Sequence, residues 1–525
     1  MKPLLIAALP LLALAGPAAA APAAPALRVE TGAVSGVAAG KIERFLGIPY
    51  AKPPVGPLRW RAPQPATAWS GVRKAAAYGA DCMQEPFPSD AAPLGTKPAE
   101  DCLTVNVWRP AGAKPGARLP VMVWIYGGGD VNGGASPAVY SGDAFARDGV
   151  IMVSYNWRVG RFGYFAFPEL TRQDADKGLF NNYAYLDSIA ALKWVQTNIA
   201  AFGGDPGKVT IYGQSAGAGQ VAMLLVSPMS RGLFSRAIIQ SGGGSATERP
   251  PFQGGSGLTP EQTGINFARR WGINGTGPEA LTELRALSAE HVTDGIHIGT
   301  RADQTSTFFG SARDGRILTE SFLSAVLAGR EARVPLIIGS TTADNYGSVT
   351  GKTAEEAITK TFGSAADKAR AAYGGLPTTD PQYPIREMAR DVSYAAPARY
   401  IATKMTAQGL PVFTYRFGYV ANAMRKEWAE GPPHATDIPY AMNTVKAKYG
   451  ADLTATDAKA AATLHAYWVN FAKAGDPNGP GLPRWPAYDP KADELMSFNP
   501  DGGAGAVRDP NRARLDAVME AKGWK

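Results

Sequence analysis

Cysteine and histidine are both scarce in this chain of 525 residues, which contains two cysteines and four histidines. The scarcity argues against a metal site, because such a site needs several ligands close together and neither cysteine has a histidine near it in sequence. We expect no metal and no cofactor. An exported protein can join the cysteines, Cys82 and Cys102, in a disulfide that closes a loop of about 20 residues and contributes about 3 kcal/mol to stability.

Concentrated charge and interdomain linkers are also missing. The formal net charge is +8, but lysines and arginines are scattered among acids and form no run of five or more. This pattern favours a solvated surface over a face that binds nucleic acid. No Ser/Gly-rich linker or charge block divides the chain, so we predict one large domain over 22–525.

Long hydrophobic runs are absent after the N-terminus. The chain starts with a basic Lys2, an apolar run over 4–15 and small residues over 18–21, which predicts a cleaved secretory signal at 1–21. The apolar run is interrupted by Pro10 and is shorter than the roughly 20 residues that a membrane-spanning helix needs. We expect an exported protein, periplasmic or secreted, without a membrane span after cleavage; a retained N-terminal anchor is the alternative.

Short apolar, β-rich runs alternate with longer segments of helical spacing in most of the chain. "LPVMVWIYGGG", "KVTIYG" and "VPLIIGS" are typical of buried strands, and "AYLDSIAALKWVQTNIAAFGG" is typical of a helix. The alternation predicts an α/β fold with a large, mostly parallel sheet covered by helices on both faces. Residues 27–107 predict a small antiparallel section. Residues 243–330 predict inserted helices above the carboxyl ends of the strands, where open α/β sheets place their sites.

The pentapeptide "GQSAG", Gly213 to Gly217, fits the pattern G-x-S-x-G between a strand and a helix. A sharp turn there holds the serine in a strained conformation and leaves little room two residues away on either side, which explains both glycines. We predict that Ser215 is a nucleophile that projects above the sheet, with the N-terminus of the next helix favouring negative charge behind it.

A serine that transfers acyl groups needs amide donors for the oxyanion and a base for its proton. The glycines of "WIYGGGD" follow a buried strand pattern and offer free backbone N–H groups, as does the residue after the serine. Among the histidines, His434 lies on a Gly/Pro loop after the last strong strand pattern, where the chain order Ser, acid, His places the base. His465 lies in a helical pattern, and His291 and His297 match no metal-binding spacing.

The acid of such a triad should lie between the serine and the histidine, on a loop after a strand, where it orients the imidazole and stabilises its cation. Asp344 in "PLIIGSTTADNYGS" is the acid closest after a strand pattern. Asp314 precedes that strand, and Asp437 follows the histidine in sequence. We therefore predict a catalytic triad of Ser215, Asp344 and His434.

Many stretches of the chain resemble, in order, the signatures of the type-B carboxylesterase family, the large α/β-hydrolases that include the cholinesterases. Examples are "FLGIPYAKPPVGPLRW", "EDCLTVNVW", "NWRVGRFGYFA", "AFGGDPGKVTIYGQSAGA" and "HATDIPYAM", and the resemblance covers nearly the whole mature chain. It implies the α/β-hydrolase fold, the same triad, an oxyanion hole made by the amides of Gly128, Gly129 and Ala216, and a disulfide between Cys82 and Cys102.

The sequence departs from the family pattern at four places. Asp344 stands where the family commonly has glutamate, so its loop must be shifted. Gln214 replaces a frequent glutamate, and Asp130 replaces an aromatic residue after the glycines; we expect both in the substrate pocket. The carboxylate of Asp130 would favour substrates that carry an amine or hydroxyls, unless it is exposed at a loop edge. No tryptophan lies between the cysteines, so choline esters are not the expected substrate.

These observations predict a serine carboxylesterase that hydrolyses small-molecule carboxylic esters through an acyl-enzyme intermediate. The alternatives are a non-catalytic binding module of the same family, or a lipase, amidase, carbamate hydrolase or lactonase that uses the same triad, because fold alone does not decide the substrate. The oligomeric state has no signal in the sequence.

Overall fold

A computed structural model describes residues 24–88, 92–244, 249–255, 257–344, 349–377 and 379–524. The predicted signal segment at 1–21 lies outside the described residues. Within those ranges no helix has both the length and the apolar character needed to cross a membrane.

The strands of the described ranges form one sheet of eleven strands, one of three and one of two. They are Ala26–Val29 (β1), Gly32–Ser35 (β2), Val37–Ala39 (β3), Ile42–Pro49 (β4), Val72–Lys74 (β5), Thr104–Pro110 (β6), Leu119–Ile125 (β7), Ile151–Tyr155 (β8), Tyr164–Phe165 (β9), Asn181–Asn182 (β10), Gly204–Gln214 (β11), Arg236–Gln240 (β12), Leu336–Thr341 (β13), Val412–Phe417 (β14), Glu494–Phe498 (β15) and Ala504–Arg508 (β16).

The α-helices surround the large sheet. They are Asp143–Arg147 (α1), Gly160–Gly163 (α2), Pro168–Gln173 (α3), Tyr183–Asn198 (α4), Ala216–Val226 (α5), Pro260–Arg270 (α6), Pro278–Ala286 (α7), Ala289–Thr293 (α8), Phe322–Leu327 (α9), Ala354–Phe362 (α10), Ala366–Tyr373 (α11), Tyr383–Arg390 (α12), Ala396–Ala407 (α13), Ile438–Ala441 (α14), Val445–Tyr449 (α15), Ala455–Ala474 (α16) and Arg512–Ala521 (α17). A π-helical turn, Asp391–Ala395, joins α12 to α13.

The large sheet has the strand order β16-β15-β14-β13-β12-β11-β7-β8-β6-β4-β3. The strands from β15 to β8 in that order run parallel, and antiparallel strands flank them on both sides. Every residue of β8, β13 and β14 is buried, as expected for strands covered on both faces. The predicted mostly parallel α/β architecture is therefore confirmed.

Two parts of the sequence-based prediction need correction. The N-terminal section is mixed, because β1 and β2 pair antiparallel while β2 and β5 pair parallel, and β3, β4 and β6 extend the large sheet instead. The strands β15 and β16 were not predicted, since their segments are short and polar at several positions. The segment between β12 and β13 carries α6 to α9, as predicted for the insertion.

The topology determines where chemistry can take place. Because β7, β11, β13 and β14 run parallel, their carboxyl ends meet at one edge of the sheet. The glycine-rich loop, Ser215, Asp344 and the loop that carries His434 each follow one of these four strands. Residues far apart in sequence therefore meet above the sheet.

Candidate active site

Ser215 occupies a sharp turn between the last residue of β11 and the first residue of α5. Its backbone has φ 57° and ψ −125°, which side chains rarely adopt. A Cβ on Gly213 would lie 2.6 Å from the carbonyl carbon of Gly217, and a Cβ on Gly217 would lie 2.0 Å from the carbonyl oxygen of Ile125. Both glycines are therefore required sterically, and the turn presents Ser215 to the cavity above the sheet.

The glycine loop after β7 lies directly against this turn. A Cβ on Gly127 would come within 2.7 Å of the carbonyl oxygen of Gln214 and 3.0 Å of the Cβ of Ser215. Gly128 and Gly129 have φ of +117° and +64°, values that favour glycine. The close approach and the left-handed backbone together explain a run of glycines at this place.

Hydrogen bonds fix the orientation of the loop peptides. The carbonyl oxygen of Gly128 accepts from the amides of Val131 and Asn132, at 3.2 and 2.9 Å. In a trans peptide the N–H points away from the carbonyl, so the N–H of Gly129 points away from those two residues. Gly128, Gly129 and Ala216 line the cavity. In the described part of the chain their backbone N–H groups have no hydrogen-bond partner.

Gln84 braces the glycine loop from the segment closed by the disulfide. Its side chain donates to the carbonyl oxygen of Gly133 at 2.7 Å and accepts from the amide of Gly133 at 2.9 Å. Cys82 and Cys102 are joined by a disulfide with a Cα–Cα distance of 5.0 Å. Sequence reasoning did not identify Gln84, because a buried side chain that pairs with backbone has no distinctive sequence signal.

The loop that carries His434 is tied to the end of β13. Ala343 forms a bridge with Pro433, and Asp344 follows directly. Oδ1 of Asp344 accepts from Nδ1 of His434 at 2.6 Å, and the Asp344 side chain is fully buried. Oδ2 of Asp344 has no hydrogen-bond partner among the described residues. The arrangement fixes the imidazole tautomer, because a proton on Nδ1 leaves Nε2 as the basic nitrogen.

The surroundings of His434 raise its pKa above the ordinary value of 6.5. Burial alone would lower the pKa by disfavouring the charged ring, but the charge and hydrogen bond of Asp344 outweigh it, and Asp437 adds to the increase. His434 therefore binds a proton more readily than a free imidazole does.

Gln214 contacts the basic nitrogen of the imidazole. Its Nε2 lies 3.1 Å from Nε2 of His434, so the amide N–H donates to the ring nitrogen. Gln214 thus occupies the lone pair of Nε2, and it lines the cavity as expected from its place beside the serine.

The two other acids weighed from the sequence are engaged elsewhere. Asp437 is buried and accepts from Nε2 of Gln240 and the hydroxyl of Tyr415, both at 2.9 Å. Burial is the main cause that raises its pKa. Asp314 accepts from backbone amides of its own turn, including that of Arg316 at 2.7 Å. Asp344 is therefore the acid that contacts the imidazole through its carboxylate.

The remaining histidines have structural contacts. His465 is buried in α16, where Nδ1 donates to the carbonyl oxygen of Ala441 at 2.7 Å and Nε2 lies 3.1 Å from Asp148. Nδ1 of His297 accepts from the amide of Gly299 at 3.0 Å. Among the described residues no group of three or more His, Cys, Asp or Glu side chains could hold a metal ion.

Asp130 is a carboxylate in the wall of the cavity and not an exposed residue at a loop edge. It is buried, it lines the cavity, and its Oδ1 accepts from the hydroxyl of Tyr164 at 3.3 Å. Its Oδ2 lies 3.6 Å from Nη2 of Arg249, which also lines the cavity. A guanidinium thus stands beside the carboxylate and offsets the negative charge on which the predicted preference for amine-bearing substrates depends.

The cavity has a volume of about 890 Å³, large enough for an ester well beyond acetate. Apolar and aromatic side chains form much of its wall, among them Phe87, Ile298, Tyr394, Trp428 and Tyr449. Arg249 and Arg301 add cationic groups that sequence reasoning did not identify, since both lie in the insertion without a recognisable motif.

Residues 23–515 match the sequence model of the carboxylesterase family. Para-nitrobenzyl esterase of Bacillus subtilis (strain 168) is 32% identical over 519 residues, covering 94% of this chain and 98% of that protein. Fumonisin B1 esterase of Sphingopyxis macrogoltabida is 32% identical over 492 residues, covering 91% of this chain and 86% of that protein. A solved structure of PNB esterase superimposes with a TM-score of 0.77 at 30% identity, covering 94% of this chain and 99% of that one.

Proposed function

We propose, from the premise that this chain belongs to the carboxylesterase family and is a carboxylic ester hydrolase, that it acts through an acyl-enzyme on Ser215. In this proposal His434 is the general base and acid, and Asp344 orients it and stabilises its cation. The observation that carries the proposal is the contact of 2.6 Å between Asp344 and His434 beside the strained serine.

Acylation starts when Oγ of Ser215 attacks the ester carbonyl carbon. Nε2 of His434 takes the hydroxyl proton, which requires that the Gln214 amide leave this nitrogen and Ser215 replace it. The carbonyl π bond opens to an oxyanion, and the amides of Gly128, Gly129 and Ala216 donate to it. Collapse of the tetrahedral intermediate expels the alcohol, which takes the proton from His434.

Deacylation repeats the same steps with water in place of the serine. His434 removes a proton from water, the hydroxide attacks the acyl carbon, and the carboxylic acid leaves as Ser215 recovers its proton. The three amides are hydrogen-bond donors without a protein partner in the described residues, so they can serve both oxyanions without rearrangement.

We also propose that the protein is exported. The disulfide between Cys82 and Cys102 supports this location, because disulfides persist in oxidising compartments.

The proposed function is tested by a burst-phase assay of the mature protein and its Ser215→Ala variant with 4-nitrophenyl butyrate. We expect one equivalent of 4-nitrophenol per enzyme in the fast phase of the wild type, and a loss of steady-state rate of at least about a thousandfold in the variant. A Ser230→Ala variant is the matched control, because Ser230 is buried in a turn outside the cavity. A burst that survives in Ser215→Ala would refute the assignment.

A further inference from the structure

The charged residues around the nucleophile are unequally distributed. Among the described residues that line the cavity, Asp130 is the one carboxylate, whereas Arg249, Arg301 and Lys448 are cationic. Lys448 makes a contact of its own, so the argument depends on the two arginines. Without Lys448, the described cavity lining still has two cationic side chains and one carboxylate.

The side chain of Arg249 is partly buried, with 18% of it exposed, and it has an unused buried donor. Its Nη2 lies 3.6 Å from Oδ2 of Asp130, which is longer than a hydrogen bond, and its Nε is buried with no partner within the described residues. A buried N–H donor without a partner is costly, and a ligand that accepts from it removes that cost. Its Nη2 also lies 3.8 Å from the position of a Cβ on Gly219, in the first turns of the helix behind Ser215.

Arg301 stands over the glycine loop. Its Nη1 donates to the carbonyl oxygen of Gly129 at 2.7 Å, and no carboxylate of the described residues lies within ion-pair distance of it. The guanidinium has five N–H donors, so most of them stay available for a second acceptor. Two arginines therefore face the cavity near the oxyanion loop, one partly buried and one at the rim.

We propose that the enzyme prefers esters whose acyl chain carries a carboxylate, that is, half-esters of dicarboxylic acids. Arg249 binds this carboxylate within the cavity, and Arg301 attracts it at the rim. Hydrolysis adds water across the ester bond and releases the alcohol and the dicarboxylic acid. This inference rests on the proposed function, whose substrate class it specifies.

The position of the leaving group indicates that the carboxylate belongs to the acyl chain of the ester rather than to its alcohol. The alcohol has to lie next to His434 and Gln214, because His434 protonates it. The acyl chain then extends to the other side, along the loop that continues from Gly129 to Asp130 and Arg249. A carboxylate pairs with a planar guanidinium through two parallel hydrogen bonds. Asp130 beside Arg249 disfavours a dianion such as phosphate by repulsion.

The test compares two esters of nearly equal shape, 4-nitrophenyl hydrogen glutarate and 4-nitrophenyl pentanoate. For the wild type we expect kcat/KM to be at least about tenfold higher for the glutarate ester. Arg249→Gln should reduce this ratio by about ten- to a hundredfold and Arg301→Gln by about three- to tenfold. Asp130→Asn should increase the ratio, because it removes the charge that repels the anion, and asparagine tolerates the φ of 67° at this position.

Arg73→Gln is the matched control, because Arg73 is exposed on β5 and does not line the cavity; its ratio should equal that of the wild type. A wild-type ratio below one, or a ratio unchanged in both arginine variants, would overturn the inference while turnover of the pentanoate ester still supports the proposed function. If Arg249→Gln does not fold, the ratios measured for Arg301→Gln and Asp130→Asn still test the inference. Binding of methyl hydrogen glutarate against methyl pentanoate to Ser215→Ala gives the same comparison without turnover.

Discussion

The two halves of the proposed active site are held in different ways. The nucleophile half, Ser215 with the amides of Gly128 and Gly129, is positioned by backbone geometry, because its turns leave no space for a Cβ. The base half, His434 with Asp344, is positioned by side-chain hydrogen bonds between loops 90 residues apart. A half fixed by backbone tolerates no change of shape, whereas a half fixed by side chains responds to changes of charge.

The two halves also differ in the property that their surroundings control, which is a strained backbone conformation in the nucleophile half and a pKa in the base half. The sheet below helps to maintain the strained φ of Ser215, because the backbone N–H of Ser215 donates a hydrogen bond of 3.0 Å to the carbonyl oxygen of Gln240. The pKa of His434, in contrast, is raised by a neighbouring carboxylate against the effect of burial. Substitutions in the two halves should therefore differ in kind as well as in size.

The largest effect is expected from Asp344→Asn, which changes the base half alone. We expect kcat/KM to fall by about a thousandfold or more, because an amide can hold the wrong tautomer and gives no charge to stabilise the imidazolium. The main cause of the raised pKa of His434 is then gone and burial lowers that pKa. Since the neutral ring is the base, the residual activity should persist to lower pH than in the wild type.

The pH profile of kcat/KM measures both effects of Asp344→Asn. Asp367→Asn is the control, because the side chain of Asp367 is 98% exposed. A loss below tenfold, or an acidic limb that moves upward, would mean that Asp344 does not support His434 during turnover.

Gly217→Ala should have the next largest effect, through the backbone half. The added methyl group would lie 2.0 Å from the carbonyl oxygen of Ile125, so the turn has to move. We expect kcat to fall by about a hundredfold, the cost of misplacing a nucleophile by about 1 Å, with an unchanged pH profile. Gly277→Ala is the control, because the methyl group there meets nothing within 4 Å. A displaced acidic limb in Gly217→Ala would contradict the separation of the halves.

The sequence predicts the backbone half better than the base half for a physical reason. A steric requirement for glycine falls on adjacent residues, so "GQSAG" and the glycine loop are visible as short motifs that follow strands. The hydrogen bond between Asp344 and His434 depends on where two distant loops end, and chain order narrows that choice without showing the contact. The amide of Gln214 on Nε2 could not be predicted at all, because it depends on a side-chain rotamer.

The same reason explains what the sequence left out of the fold. The buried parallel strands, such as β8 and β13, appear as continuous apolar runs and were predicted. The edge pair β15 and β16 is partly exposed, so its segments do not differ clearly from loops. Arg249 and Arg301 lie in the insertion, where only the fold brings them to the cavity.

A smaller effect is expected when the disulfide is removed by the double substitution Cys82→Ser and Cys102→Ser. Loss of the cross-link should decrease the free energy of unfolding by about 3 kcal/mol, which denaturant titration measures. Because Gln84 in this loop braces Gly133, kcat should also fall a few fold while the pKa from the pH profile stays the same. Addition of a reductant to the wild type should reproduce the change, and an altered pKa would show that the loop acts on the base half.

The smallest expected effect, and the sharpest test of the base half, is Gln214→Glu. A carboxylate placed about 3 Å from Nε2 of His434 stabilises the imidazolium, so the pKa of His434 should increase further. Because the neutral ring is the base, the acidic limb of kcat/KM should move to higher pH by the same amount. At a pH above the acidic limbs of both the wild type and the variant, the rate of Gln214→Glu should stay within about threefold of the wild-type rate, since glutamate does not alter the backbone of the turn.

Gln214→Met separates charge from hydrogen bonding in this comparison. Methionine has nearly the same length but cannot donate to Nε2, so the acidic limb should move much less than with glutamate. It also removes the group that competes with Ser215 for Nε2, so kcat at high pH should not fall below that of the wild type. If the acidic limb of kcat/KM lies at the same pH in Gln214→Glu and Gln214→Met, the side chain at 214 does not face the imidazole during turnover. The base half would then be controlled by Asp344 and Asp437 alone, the carboxylates that raise the pKa of His434.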